Sequence, residues 1–397
     1  MQRRRLLPGH VPIALMIVGA LVVIVGVGLV RGRSMSDPVQ VETLVDLERE
    51  LESLRSRLRI PGMSAAIADG DRIVWARGFG QADVERGIDA TSDTIYPIAS
   101  LTKPYAATVM LQLVEEGRVD LDTPVALYGI DIERSGPVTI RHLLSHTAGE
   151  PPGAAYRYDG NAFGQMTGII EAITGRPFAR ELSNRIIIPL GLTATAPYPG
   201  EPRGFRSLAL SYQPDETDIE RGKQIFGASG LDRAPIQAAL AQGYARAWGR
   251  WIWPAGLAGP MRPMANGFTL SATNGLVASA PDVARFSMAL ADGRLLLRET
   301  VNHAWEPYVS AEGERLPYGL AWFVQDIGGQ KVVWHYGQVF ESSSLIVKVP
   351  ERRLTFVILA NSDGLSRSLG LGDDADVTVS PAARIFLKFS SSFGENS

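Results

Sequence analysis

The stretch Tyr96-Pro97-Ile98-Ala99-Ser100-Leu101-Thr102-Lys103 decides how this chain is read. It runs into Pro104–Glu116, an apolar segment with helical spacing that Gly117 closes. Residues three apart on a helix share a face, so Lys103 can lie against the Ser100 hydroxyl. A lysine of ordinary pKa, ~10.4, is protonated at pH 7 and cannot take a proton from a serine. The pairing makes chemical sense only where burial or crowded charge depresses that pKa. Only five of the 39 basic residues are lysines, so each one carries information. Taken alone the tetrad is a weak signal, because a solvated Ser and Lys on a helix surface would read the same way.

Outward from it, strands lie at both ends of the chain and helices between them. Val41, Leu44, Leu47, Leu51, Leu54 and Leu58 line one face of a helix over Val41–Arg59, and Pro61-Gly62 stops it. Met63–Ala68 and Arg72–Arg77 flank Asp69-Gly70, a strong hairpin turn. Further helices are expected over Ile140–Leu144, Phe163–Ile173 (closed by Gly175), Arg233–Trp248 and Pro281–Leu290. Lys331–Trp334, Ser344–Val349 and Leu354–Leu359 read as strands, and Pro381–Phe389 as a last amphipathic helix. Residues 196–270 are otherwise loop-rich. The pattern predicts an α+β fold: one antiparallel sheet from about 41–100 and 300–397, with a helical portion from about 101–299.

Composition sets the bounds. The 397 residues, 45% hydrophobic and 20% charged, are ordinary for a globular chain. The absence of cysteine excludes disulfides, a thiolate nucleophile, Cys-based zinc or iron–sulfur sites and a lipoprotein Cys anchor. A formal net charge of -3 gives no basic footprint for nucleic acid. Val11–Val30 is a 20-residue run without a charge, flanked by Arg3, Arg4, Arg5 and by Arg31 and Arg33. At 1.5 Å per residue it spans about 30 Å, the hydrocarbon thickness of a bilayer. A signal-peptide core is usually ~7–15 residues with a small-x-small cleavage site after it. The run here is longer, and Arg31-Gly32-Arg33-Ser34-Met35-Ser36 follows it. The expectation is an anchor or signal segment with linker over 1–36, holding a domain over 37–397 outside the cytoplasm. The domain is secreted if the segment is cleaved. Oligomeric state has no signature here.

Two more motifs follow the tetrad: Leu121-Asp122-Thr123-Pro124-Val125, and Thr139-Ile140-Arg141-His142-Leu143-Leu144-Ser145-His146-Thr147-Ala148-Gly149. Together with it they resemble the serine β-lactamase-like family: class C β-lactamases, D-Ala-D-Ala carboxypeptidases, D-aminopeptidases and related esterases. The resemblance runs from about residue 41 to 390. It implies a β-lactamase/transpeptidase-like antiparallel sheet flanked by N- and C-terminal helices plus a helical insertion. It also implies Ser100 as nucleophile and Lys103 as base.

The family's Tyr-x-Asn turn aligns with Tyr156-Arg157-Tyr158-Asp159-Gly160-Asn161, placing its tyrosine on Tyr158. Its Asn position falls on Gly160, which has no amide, and Asn161 comes one place late. Tyr158 would relay a proton if a nearby cation lowers its pKa. The Lys-Thr-Gly-like triplet is matched by His335-Tyr336-Gly337, followed by Gln338. On a strand His335 and Gly337 point alike. His335 is then expected to bond the Tyr158 hydroxyl or an anionic substrate group, and Gly337 to admit substrate close to the backbone. The resemblance puts an oxyanion hole at the N–H groups of Ser100 and Gln338.

Several other patterns carry less. His142 and His146 have metal-compatible spacing but lack the Glu of His-Glu-x-x-His, and the resemblance makes both structural. Gly227-Ala228-Ser229-Gly230 is not the Gly-x-Ser-x-Gly elbow, and Gly78-Phe79-Gly80 lacks the third glycine of a dinucleotide loop. Trp248, Trp251 and Trp253 read best as a loop packed on the core. The expected function is a membrane-anchored serine hydrolase acting through an acyl-enzyme on an ester, amide or D-amino-acid peptide, without metal or organic cofactor. Loss of the Asn, and His in place of Lys, argue against efficient β-lactam hydrolysis. The alternative is a non-catalytic binding or scaffold protein on this fold, which Gly160 favours and the intact Ser100 and Lys103 oppose.

Overall fold

Thr43 opens the first helix. Its hydroxyl accepts from the Asp46 N–H while its own N–H donates to the Asp46 carboxylate, a reciprocal cap. The helix α1 therefore runs Leu44–Leu58, a little shorter than its apolar periodicity suggests, and Arg59 ends it in the left-handed region. The computed structural model describes residues 41–199, 205–206, 211–212, 216–246, 261–264, 270–367 and 369–393. The expected anchor at Val11–Val30, its linker, and Trp248, Trp251 and Trp253 lie outside the described residues. Among the described residues no helix is long and apolar enough to cross a membrane.

The main sheet has seven strands: β1 Gly62–Asp69, β2 Arg72–Asp83, β3 Ile88–Asp89, β4 Phe323–Ile327, β5 Gln330–Val339, β6 Ser342–Val349 and β7 Leu354–Ala360. They lie in the order β4-β5-β6-β7-β1-β2-β3, each neighbouring pair antiparallel. Early and late chain meet where β1 pairs β7, from Met63 opposite Ala360 to Asp69 opposite Leu354. The Asp69-Gly70 turn forms as its sequence predicts, with Gly70 at φ +61°.

Helices α2 (Thr102–Glu115) and α3 (Ala280–Ala291) belong to the insertion, and α4 (Pro381–Ser392) is terminal. Terminal helices cover one face of the sheet, where Phe356 of β7 stacks on Phe386 of α4 with centroids 5.1 Å apart. The opposite face offers Ala66, Ala68, Val333, Ile346, Val357 and Leu359 to the insertion, where Tyr105 of α2 stacks on Phe286 of α3 at 3.7 Å. This is the α+β architecture the sequence pattern implies.

Two helices differ from expectation. The Phe163–Ile173 helix is two pieces, Gly160–Gly164 and Met166–Thr174. Asp159 caps the first, and the Gln165 N–H turns back to the Ala162 carbonyl between them. The Arg233–Trp248 helix ends at Ala239. There the backbone is taken by a longer-range partner: Ile95 N–H donates to the Ala239 carbonyl and Ala241 N–H to the Ile95 carbonyl, both at 2.9 Å. Leu240 is thereby held extended, and Gly243–Arg246 continues as a strand.

The feature that positions the site is an open edge. β4 pairs with β5 only up to Trp334, so His335–Val339, paired with β6 on one side, have no strand on the β4 side. The segment leading to Ser100 lies along that edge. A small sheet, in which Leu276–Ala278 pairs with both Tyr96–Pro97 and Thr195–Pro197, holds it from the insertion side.

Candidate active site

Ser100 is presented by a short backbone segment fixed from several directions. The Ser64 and Tyr96 hydroxyls are 2.8 Å apart, the Ile98 N–H donates to the Leu276 carbonyl at 3.0 Å, and the Ser344 hydroxyl donates to the Ile98 carbonyl at 2.8 Å. Ala99 then adopts φ +48°, a left-handed conformation that costs a side-chain-bearing residue about 1 kcal/mol or more. A single tight turn, Ala99–Leu101, delivers Ser100 half-exposed at the start of α2.

Gly337 is the reason this segment can sit so close to β5. A Cβ there would stand 2.2 Å from the Ile98 carbonyl oxygen, 2.5 Å from Ser344 Oγ and 3.0 Å from the Ser100 nitrogen. Its missing side chain makes room for the protein's own main chain, which differs from the expected role of admitting substrate. Gln338 follows as an exposed residue on the same edge.

Lys103 is wholly buried. Its Nζ lies 3.0 Å from Ser100 Oγ and 3.4 Å from the Thr273 carbonyl oxygen. The rings of Tyr158 and Phe163 flank it at 4.9 and 5.6 Å. Burial depresses its pKa to about 7, against an upward pull from the Asp159 carboxylate. A large share of Lys103 is therefore unprotonated near neutrality, the state in which it can accept a proton from Ser100.

Tyr158 differs from expectation. Part of its ring reaches solvent, but its hydroxyl is buried and has no hydrogen-bond partner among the described residues. Burial, reinforced by Tyr336, drives its pKa well above the ordinary value, and the nearby Ser100 side chain pulls back only in part. No cation lowers it. Tyr158 is a neutral phenol facing the serine.

His146 fixes that phenol in place. Its carbonyl accepts from the Arg157 N–H at 2.9 Å and its Nδ1 from the Asp159 N–H at 3.1 Å, so it grips the chain on both sides of Tyr158. Its ring lies 4.4 Å from the Tyr158 ring. His142 has a local job too: its Nδ1 accepts from the Thr139 N–H at the start of the Ile140–Leu144 helix. No group of three or more metal-ligating side chains occurs among the described residues.

His335 also differs from expectation. It is fully buried, with Nε2 2.9 Å from the Tyr318 hydroxyl and Nδ1 2.7 Å from the Tyr336 carbonyl oxygen. Both ring nitrogens are engaged, so none remains for Tyr158 or a substrate anion. Burial and the nearby Lys103 hold its pKa well below the usual histidine value. Asn161 is exposed, and its N–H joins that of Ala162 on the Asp159 carboxylate. It does not take up the Gly160 position. Thr273 does: its Oγ1 lies 3.3 Å from where a Gly160 Cβ would be.

The site thus gathers Ser100, Lys103, Tyr158, Gly337 and the edge carrying Gln338, and it leaves out His335 and Asn161. Asp159 and Thr273 join it unforeseen. Asp159 had one signal, an acid beside the aligned tyrosine. Thr273 had none, standing 170 residues from the lysine it touches.

A family model described as Beta-lactamase matches residues 47–377. Penicillin-binding protein 4 of Amycolatopsis lactamdurans is 30% identical over 200 residues, covering 42% of this chain and 52% of that one. Esterase EstB of Burkholderia gladioli is 27% identical over 222 residues, covering 44% of this chain and 56% of that one. The chain spans about half the length of these two relatives. The structure of the D-amino acid amidase from Ochrobactrum anthropi SV3 complexed with D-phenylalanine superposes with a TM-score of 0.64 at 20% identity, over 89% of this chain and 100% of that one.

Proposed function

This chain belongs to the beta-lactamase family, and on that premise we propose that it is a serine hydrolase working through an acyl-enzyme on Ser100. The observation that carries the proposal is Lys103 Nζ at 3.0 Å from Ser100 Oγ, with burial bringing that amine to a pKa of about 7.

In the proposed reaction Ser100 Oγ forms a bond to the substrate carbonyl carbon as its proton passes to the neutral Lys103 amine. The new ammonium sits between the Tyr158 and Phe163 ring faces, which favour a cation there. Collapse of the tetrahedral adduct breaks the carbonyl's bond to the leaving group. That group takes a proton from Tyr158, which recovers one from Lys103. Water then attacks the acyl carbon, gives a proton to Lys103, and the Ser100 hydroxyl is restored with that proton. The N–H groups of Ser100 and Gln338 serve as the oxyanion donors in this reading, worth a few kcal/mol each.

The proposed substrates are small esters, and amides or peptides bearing D-amino acids. Similarity to an esterase and to a D-amino acid amidase supports that choice. Gly160 and the engaged, buried His335 weigh against efficient β-lactam hydrolysis. Residues 11–30 further support a membrane-anchored enzyme acting outside the cytoplasm, which fractionation with and without residues 1–36 tests.

The deciding experiment is intact-mass analysis of the full chain after exposure to a fluorophosphonate, with Ser100→Ala alongside. One adduct on the parent and none on the variant is expected. A folded parent that takes no adduct overturns the reading. Turnover of a chromogenic cephalosporin at the rate of a simple ester overturns the substrate ranking.

A further inference from the structure

The turn carrying Tyr158 has glycine at position 160, so it offers the site no side chain there. That space is filled from across the cleft. Thr273 sits in the loop between Leu270 and the Leu276–Ala278 strand. Its Oγ1 is 3.3 Å from the position of a Gly160 Cβ, and its methyl group is 3.8 Å from that of Gly164. A Cβ at Gly160 would press on Thr273, whereas one at Gly164 would make ordinary contact with its methyl group.

The same residue meets the catalytic machinery through its backbone, because its carbonyl oxygen is 3.4 Å from Lys103 Nζ. Its N–H points elsewhere, 3.4 Å from Ser271 Oγ. Ser271 and Asn274 bridge each other across the loop, which holds Thr273 at its tip. The side chain is half-buried, and its hydroxyl has no hydrogen-bond partner among the described residues. A hydroxyl in that position has one donor and two lone pairs to offer a ligand.

We infer that the Thr273 hydroxyl is the side-chain hydrogen-bond partner for a polar acceptor beside the scissile bond, the substrate class being an acylated amino-acid ester or amide. The inference rests on the acyl-enzyme reading above. It goes further by naming a specificity-determining residue that no motif marks. A simple acyl ester has no acceptor at that place and gains nothing from the hydroxyl. An N-acylamino substrate has a carbonyl there and loses that partner when the hydroxyl is removed. Sites that hydrogen-bond a substrate group discriminate strongly against an unmatched one, because the partner is left unpaired away from water.

The test uses the full chain with two probes sharing one leaving group, p-nitrophenyl butyrate and N-acetyl-D-alanine p-nitrophenyl ester. Thr273→Val keeps the shape of the side chain and removes the hydroxyl. It is expected to lower the ratio of kcat/KM on the acetylamino ester to kcat/KM on the butyrate by about 10-fold or more. Thr273→Ser should restore the acetylamino rate. The main-chain carbonyl that touches Lys103 is unchanged in both variants, so the acid limb of the pH profile should stay where it is. Equal effects of Thr273→Val on the two probes, or no effect on either, overturn the inference while fluorophosphonate labelling of Ser100 leaves the parent reading standing. A parent that neither labels nor hydrolyses either probe overturns both.

Discussion

Among the described residues two buried lysines, Lys103 and Lys348, stand against serines, and the serine beside Lys103 is half-exposed. Lys103 meets Ser100 where the insertion touches the open edge of the sheet. Lys348 of β6 meets Ser287 of α3 inside the core, at hydrogen-bond distance, with the Ser287 carbonyl at 3.3 Å, Thr355 Oγ1 at 3.4 Å and the Trp305 ring at 4.8 Å. Burial lowers both lysines to about 7, and in each case one distant aspartate, Asp159 or Asp292, pulls the other way. Chemically the pairs are near twins. What separates them is access. Ser100 is half-exposed behind the strained Ala99, with the buried Tyr158 phenol near it, whereas Ser287 is sealed. A depressed amine beside a hydroxyl is therefore not a site by itself. It becomes one where the chain spends backbone strain to bring the serine out to solvent and sets a second proton-carrying group against it.

The sharpest way to break the comparison is to remove each amine in turn. Lys103→Met is expected to lower kcat/KM by roughly 10⁴-fold or more, as loss of a member of a concerted nucleophile–base unit does. Lys348→Met should leave it within about 3-fold. Ester hydrolysis by the two variants checks this; a comparable loss in both would mean that the sealed pair contributes to chemistry and that access is the wrong criterion.

Stability should report the burial of the sealed lysine through its pH dependence. For Lys348 the folded pKa of about 7 lies below the ordinary 10.5. Between those values the unfolded chain binds more protons, so stability rises with pH, and the penalty is at its full size below pH 7. At 1.36 kcal/mol per unit this is up to about 5 kcal/mol for one such lysine. Glu341, raised to about 7 by burial, acts in the window below pH 7, and the buried tyrosines, raised above their ordinary 10, act above that value with the opposite sign to the lysines. Denaturant unfolding of Lys348→Met at pH 7 and pH 10 should show a smaller gain with pH than the parent. An unchanged gain would mean that Lys348 is not the buried neutral amine described here.

The two pairs were also unequally legible in the sequence. Ser100 and Lys103 announce themselves because one helical turn carries both, and the apolar runs over 331–359 with the Asp69-Gly70 turn announce the sheet that frames them. Ser287 and Lys348 belong to a helix and a strand 61 residues apart, and nothing local links them. The same limit hid Thr273. His335 differs from expectation for a related reason: strand alternation gives its side, but its partner is Tyr318, in a loop whose position no periodicity records. The overlong Arg233–Trp248 helix failed because helical spacing continues past Ala239 while the backbone there is claimed by Ile95. Patterns within one element hold where no distant partner claims the backbone, and contacts between distant elements leave no local signal.

The smallest effect concerns the charge near Lys103, Asp159. Asp159 raises the Lys103 pKa against burial, from a carboxylate held by the Asn161 and Ala162 N–H groups at 2.9 and 3.0 Å. Asp159→Asn keeps an oxygen for that cap and removes the charge, so the turn should hold its shape. Without the opposing charge the lysine becomes easier to deprotonate, and its pKa falls further below 7. Activity depends on the unprotonated amine and therefore rises with pH through that value. The acid limb of the kcat/KM profile should accordingly move to lower pH in the variant, by a few tenths of a unit for a half-screened charge. A shift to higher pH would reverse the assigned sign. An unmoved limb in a variant whose Ser100 still labels would mean that the aspartate serves the turn alone and leaves the base to burial.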